Sequence, residues 1–70
     1  MKYTFVIEKG PRSYGAYVPD LPGCVAVART RPAVVRLIKD AIVFHLEGLR
    51  LEGRPIPVPA SEGGCVEVSA

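Results

Sequence analysis

The sequence predicts an α+β fold of order β-β-β-α-β, in which a four-stranded mixed sheet carries one helix on one face. Two observations predict it. Four short segments, at 2–8, 13–18, 24–29 and 65–69, are rich in β-branched and aromatic residues, and the first and last alternate apolar with polar positions, the two-residue period of a pleated strand. A single segment, 31–51, instead repeats its apolar residues with a helical period and ends on helix stop signals. Seventy residues make one domain, spanning 1–70.

In the first strand Tyr3, Phe5 and Ile7 alternate with Lys2, Thr4 and Glu8, with Val6 the exception. Lys9-Gly10-Pro11-Arg12 is a turn, because glycine admits positive φ and proline fixes φ. SYGAYV at 13–18 then returns antiparallel to the first strand as a hairpin. Gly15 inside it predicts a bulge or a close packing approach. Pro22-Gly23 fits the two central positions of a type II turn. CVAVAR at 24–29 is apolar on both faces, which predicts cover on each side.

Thr30 offers a hydroxyl N-cap, and Pro32 is tolerated in a first helical turn. The reciprocal glutamate of a capping box is missing, since Ala33 stands at that position. Gly53 is the natural residue just past the helix, followed by Pro55, Pro57 and Pro59. The stretch 54–64 reads as an extended, proline-rich connector. A helix of this length crosses the sheet and delivers strand four parallel to strand one, giving sheet order 3-2-1-4 with a right-handed crossover. Cys24 and Cys65 then stand on opposite edge strands, separated by three strand spacings, roughly 14 Å. A disulfide needs Cα atoms within about 7 Å, so an intramolecular bridge is excluded for that strand order.

Composition limits the function classes. The net charge is +2, too weak and too scattered for the basic stripe of a nucleic-acid binder. No run of about 18 apolar residues exists to span a membrane, and the first ten residues alternate apolar with charged, unlike a signal peptide. A cytoplasmic location is expected. Two cysteines without a CxxC, and a single histidine, fall short of a four-ligand zinc site, so no metal or other cofactor is expected. The absence of Asn and Gln, one Met and seven prolines fit a thermophilic source.

Stepping 100° per residue, the apolar side chains of the helix fill an arc of about 220°, where covering a four-stranded sheet needs little more than about 100°. Leu37, Phe44 and Leu51 form a line at the margin of that arc. Either this line meets another molecule, a partner or a second copy of the chain, or the sheet and the connector cover it. His45 lies in the middle of the arc. As a catalytic base it would need a nucleophile or carboxylate within reach, and the alternative is a buried, hydrogen-bonded histidine. Asp20 is either a partner contact or an acceptor for its own turn. Leu21, an apolar residue at a loop tip, is a candidate contact. The acids Glu8, Asp20, Asp40, Glu47, Glu52, Glu62 and Glu67 form no converging cluster of the kind that holds two metal ions, so no catalytic residues are assigned and a nuclease is the least favoured reading.

Across 14–59 the order and spacing of YGAYVPDLPGC, Thr30, KDAIVFHLEGL and GRPIPVP resemble the N-terminal domain of HicB-like antitoxins. The family pattern has an aromatic-x-Ala-aromatic strand, a PDLPGC turn, a threonine opening a helix with His-Leu near its end, and a Gly-x-Pro-x-Pro-x-Pro tail. The resemblance implies a truncated RNase H-like fold and a binding protein, not an enzyme. It implies sequestration of a small HicA-type toxin, an mRNA-cleaving ribonuclease. Asp20, Leu21, Leu37, Phe44 and Leu51 are the candidate partner-binding residues. Most members continue into a DNA-binding appendage. Here the sequence stops shortly after Pro59, so no direct DNA binding is expected. A homo-oligomer is expected, since so short a chain buries only about 60% of its unfolded surface. The alternative within the same class is an oligomeric scaffold without a toxin partner.

Overall fold

The computed structural model describes residues 3–60 and the backbone of 65–69. Lys2 of the expected first strand and 61–64 of the expected connector lie outside the described residues. The elements run β1 (Phe5–Lys9), β2 (Tyr14–Tyr17), β3 (Val25–Ala28), α1 (Arg31–Leu51) and β4 (Cys65–Ser69). Three antiparallel strands and one helix make an α+β core. β1 pairs with β2 through Val6↔Tyr17 to Lys9↔Tyr14, and β2 with β3 through Tyr14↔Ala28 to Tyr17↔Val25. The backbone of β4 runs parallel to β1, from Phe5↔Cys65 to Lys9↔Ser69, which places the strands in the order β3-β2-β1-β4.

The turns form where the backbone chemistry demands them. Gly10 N–H donates to the Ser13 carbonyl at 2.9 Å and closes the first hairpin. Cys24 N–H donates to the Leu21 carbonyl at 3.0 Å, with Gly23 at φ +86° between them. This is the geometry of a type II turn, which requires positive φ at its third residue. Gly15 departs from expectation. It pairs in regular register with Glu8 and Val27, so there is no bulge. A Cβ built on it would come no nearer than 3.9 Å to the Ala26 carbonyl oxygen, so no close approach requires glycine either.

The core lies between one sheet face and α1. Its fully buried side chains are Ile7, Leu21, Val34 and Ile38, with Tyr3, Phe5, Ala16, Val18 and Cys24 packed around them. Phe5 and Ile7 of β1 share that face with Ala16 of β2, because Ile7 pairs with Ala16 and side chains alternate along a strand. The connector that follows the helix is fastened to the rest of the fold at two points. The Tyr3 hydroxyl donates to the Pro57 carbonyl, and Ala60 N–H donates to the Asp20 carboxylate at 3.2 Å.

Candidate partner-binding surface

The helix that presents the surface is set by its ends. At the N-terminus, Thr30 has extended backbone (φ −125°, ψ 154°), and its Oγ accepts from Ala33 N–H at 3.3 Å. At the C-terminus, Gly53 N–H donates to the Arg50 carbonyl and Arg54 N–H to the Leu49 carbonyl, with Gly53 at φ +69°. That pair of bonds is a Schellman motif, and it stops the helix after Leu51. Between these caps Val34, Ile38 and Leu49 are buried against the sheet.

The opposite margin of the apolar arc is open. Leu37 is 42% exposed, Phe44 80% and Leu51 88%, so no described part of the sheet or the connector covers the line. On the sheet, Ala26 is half-buried under the helix, whereas Val25 is 63% and Val27 69% exposed. The expectation that β3 is covered on both sides therefore fails. The only described helix covers one face, and Tyr17, Val25 and Val27 point out of the other, where no described element lies over them. Val25, Ala26 and Val27 line one open groove with Leu37, Asp40, Ala41 and Phe44. Apolar surface of this extent, contiguous across helix and strand, marks an interaction site on a soluble domain.

The other candidates separate cleanly. Leu21 is only 1% exposed, so it is no contact residue. The PDLPG turn folds its leucine inward, and Leu21 fills the core beside Ile7 and Val34. Asp20 remains half-buried at the surface, and its carboxylate accepts from the connector at Ala60 N–H. His45 is half-buried, not enclosed. It lines a second groove with Cys24, Phe44, Glu52 and Arg54. Arg54 and Glu52 approach to 3.7 Å with both side chains exposed, a pair that contributes little to stability. Cys24 is free and buried, and desolvation pushes its thiol above its ordinary range. Among the described residues no three His, Cys, Asp or Glu side chains converge to hold a metal ion, and no helix is long and apolar enough to cross a membrane. Sequence reasoning missed Tyr17, Val25 and Val27. The signal was present, since a doubly apolar strand at a sheet edge with one helix to share must leave one face bare.

Fold and surface define a small α+β domain with an exposed apolar rim, the form of a protein-binding module. The HicB_like antitoxin family of bacterial toxin-antitoxin systems matches residues 3–67, and the chain belongs to this family. Among curated proteins it is 38% identical over 58 residues to a UPF0150 protein of Thermoplasma acidophilum, covering 81% of this chain and 84% of that one. It is 37% identical over 57 residues to an uncharacterized 14.9 kDa protein of Haemophilus phage HP1, covering 81% of this chain but 43% of the phage protein. Among solved structures it is similar to a chain of a HicA3 and HicB3 toxin-antitoxin complex, with a TM-score of 0.69 and 31% identity over 83% of this chain and 66% of that one. The chain thus spans less than half of the phage relative and about two thirds of the matched chain in the complex.

Proposed function

We propose that this chain is an antitoxin that sequesters a small HicA-type, mRNA-cleaving toxin by covering its working surface, without catalysis of its own. Its fold is read as a truncated RNase H-like domain acting in the cytoplasm. The carrying observation is the bare sheet face, where Tyr17, Val25 and Val27 lie exposed with no described element over them, in a chain that belongs to an antitoxin family. The likeness to a chain of a toxin-antitoxin complex supports a toxin as the occupant. The toxin reaches this face beside the Asp20 turn. Leu51 belongs instead to the exposed margin of the helix. Leu37 and Phe44 are partner-facing as well, toward toxin or toward a second copy. Binding of this kind draws on a central apolar cluster with a polar rim more than on total charge, so a net charge of +2 does not oppose it. The non-catalytic reading is supported by the placement of Asp40, Glu47 and Glu52, all exposed along the helix and not gathered in a cleft.

The test uses the purified chain and the small toxin encoded beside its gene. The expected result is a stable complex and loss of mRNA cleavage, with Tyr17→Glu/Val25→Lys abolishing both while the chain stays folded. A chain that neither binds nor restrains its neighbour's toxin overturns the reading.

A further inference from the structure

We propose that Gly15 is a socket for one arginine of the toxin, with the methylene stem of that arginine over the Gly15 backbone between Tyr17 and Val27 and its guanidinium on the Glu8 carboxylate. The proposal rests on reading the helix-free face as the toxin surface. Register fixes what surrounds the glycine. Side chains alternate along a strand, so the face opposite Ile7 and Ala16 bears Val6 and Glu8 of β1, Tyr17 of β2, and Val25 and Val27 of β3. Val6, Tyr17 and Val25 form one cross-strand row, and Glu8, Gly15 and Val27 form the next. The first row is filled with side chains. The second has a side chain at each end and none in the middle.

The gap is open, and the fold does not need it. A Cβ built on Gly15 has only the Ala26 carbonyl oxygen within 4 Å, at 3.9 Å, so neither the Tyr17 ring nor the Glu8 chain has collapsed into the space. Among the described residues positive φ occurs at Gly23 and Gly53 and not at Gly15, so the backbone there accepts any ordinary residue. Glycine inside a strand weakens it and marks a place where something else can approach closely. β1 and β3 flank β2 at about 4.8 Å each, so the walls of the pit stand about 10 Å apart at their Cα atoms. A methylene chain in contact at about 4 Å on both sides needs about 8 Å. One unbranched stem fits.

The walls select the occupant. Tyr17 and Val27 are apolar and exposed, and Glu8 is an exposed carboxylate. Among the described residues no cation lies within ion-pair distance of Glu8, Arg29 beyond the end of β3 included. Lys9, the other charged residue of the three antiparallel strands, alternates to the helix side. An apolar knob would strip water from that carboxylate without pairing it, and an acidic one would be repelled. A side chain with a long apolar stem and a cationic head satisfies all three walls. Arginine serves better than lysine, because its planar fork pairs a carboxylate through two hydrogen bonds and stacks on an aromatic face.

The test measures toxin affinity by titration calorimetry, with the purified chain and the small toxin encoded beside its gene, together with the melting temperature of the free chain. Gly15→Val fills the pit. It should weaken binding about 30-fold or more. The free variant should melt about 4–8 °C higher, since a β-branched residue replaces glycine in an unbroken ladder. A glycine with a merely structural role would not give higher stability and lower affinity together. Glu8→Gln keeps the shape, and should weaken binding about 10-fold with a shallower salt dependence. The double variant should bind within about 3-fold of Gly15→Val alone, because both residues hold one side chain. Replacing the toxin's arginines one at a time by alanine should yield one variant whose affinity is indifferent to Glu8→Gln. A toxin captured equally well by Gly15→Val sinks the socket and leaves the toxin surface standing, as does a toxin none of whose arginines couples to Glu8. A chain that binds no toxin, or binds it undiminished after Tyr17→Glu/Val25→Lys, fails earlier, at the reading of the face, and takes the socket with it.

Discussion

Cys24 shows how a single side chain is governed by its surroundings. It sits at 3% exposure where β3 begins, and removal from water disfavours its thiolate. The folded state therefore holds the thiol proton more tightly than the unfolded chain does. Its contribution to stability is complete below the ordinary thiol value of 9.0 and is lost as pH rises from there through the raised folded value. Urea unfolding midpoints should fall with pH in that alkaline window, and a Cys24→Ala variant should lose that part of the slope. Leu21 makes the same point for packing. Its side chain is fully enclosed, so Leu21→Ala should cost about 2–4 kcal/mol, read as a lower urea midpoint with an unchanged denaturant slope. For a domain of this size that is a large fraction of the total. Both residues were visible in the sequence as a thiol and a leucine beside a turn. Their burial was not, because it depends on which way the turn folds over a core built from β1 and α1.

At the level of elements, the helix was the most legible part. Thr30, Pro32 and Gly53 act on the backbone within a few residues, so the cap geometry follows from local chemistry alone. Thr30→Ala should lower stability by about 1 kcal/mol or slightly less, because one amide at the first turn loses its acceptor. Gly53→Ala should cost about 1 kcal/mol through backbone strain, since a Cβ there meets nothing within 4 Å and only its positive φ resists. Thermal unfolding of both variants measures these losses. The strands were legible in pairing but not in their surroundings. β3 reads as a doubly covered strand, yet one helix shields only the side bearing Ala26 and Ala28, and Val25 and Val27 remain bare. Gly15, read as a sign of a bulge, sits in an unbroken ladder. The connector also escaped a local reading. Its attachments at Tyr3 and Asp20 join residues 54 and 40 positions apart, and no sequence window contains both partners. Asp20→Ala should speed hydrogen exchange at the Ala60 amide while leaving amides in the middle of α1 unchanged.

Over the whole molecule, the proportion of surface to core governs behaviour. Among the described residues of this 70-residue chain few side chains are completely enclosed, and several large apolar residues face outward. Any partner that binds the folded state and not the unfolded one raises the melting temperature by mass action. The melting temperature should therefore rise on adding toxin. The candidate site was half legible at this scale. The Leu37, Phe44 and Leu51 line follows from counting angles around one helix, because the apolar arc exceeds what a small sheet can cover. The contribution of β3 required knowing that it lies at the edge of the sheet and under the near side of α1.

The amino-acid order alone determined the succession of strands and helix, the helix ends, and the glycine-dependent turn at Gly23, since each arises from steric and hydrogen-bonding preferences within a few neighbouring residues. Only the tertiary arrangement decided that Leu21 turns inward, that Asp20 holds the connector, and that no described element covers the far face of β3. Those outcomes depend on which distant segments come to lie against one another, and periodicity along the chain carries no record of that.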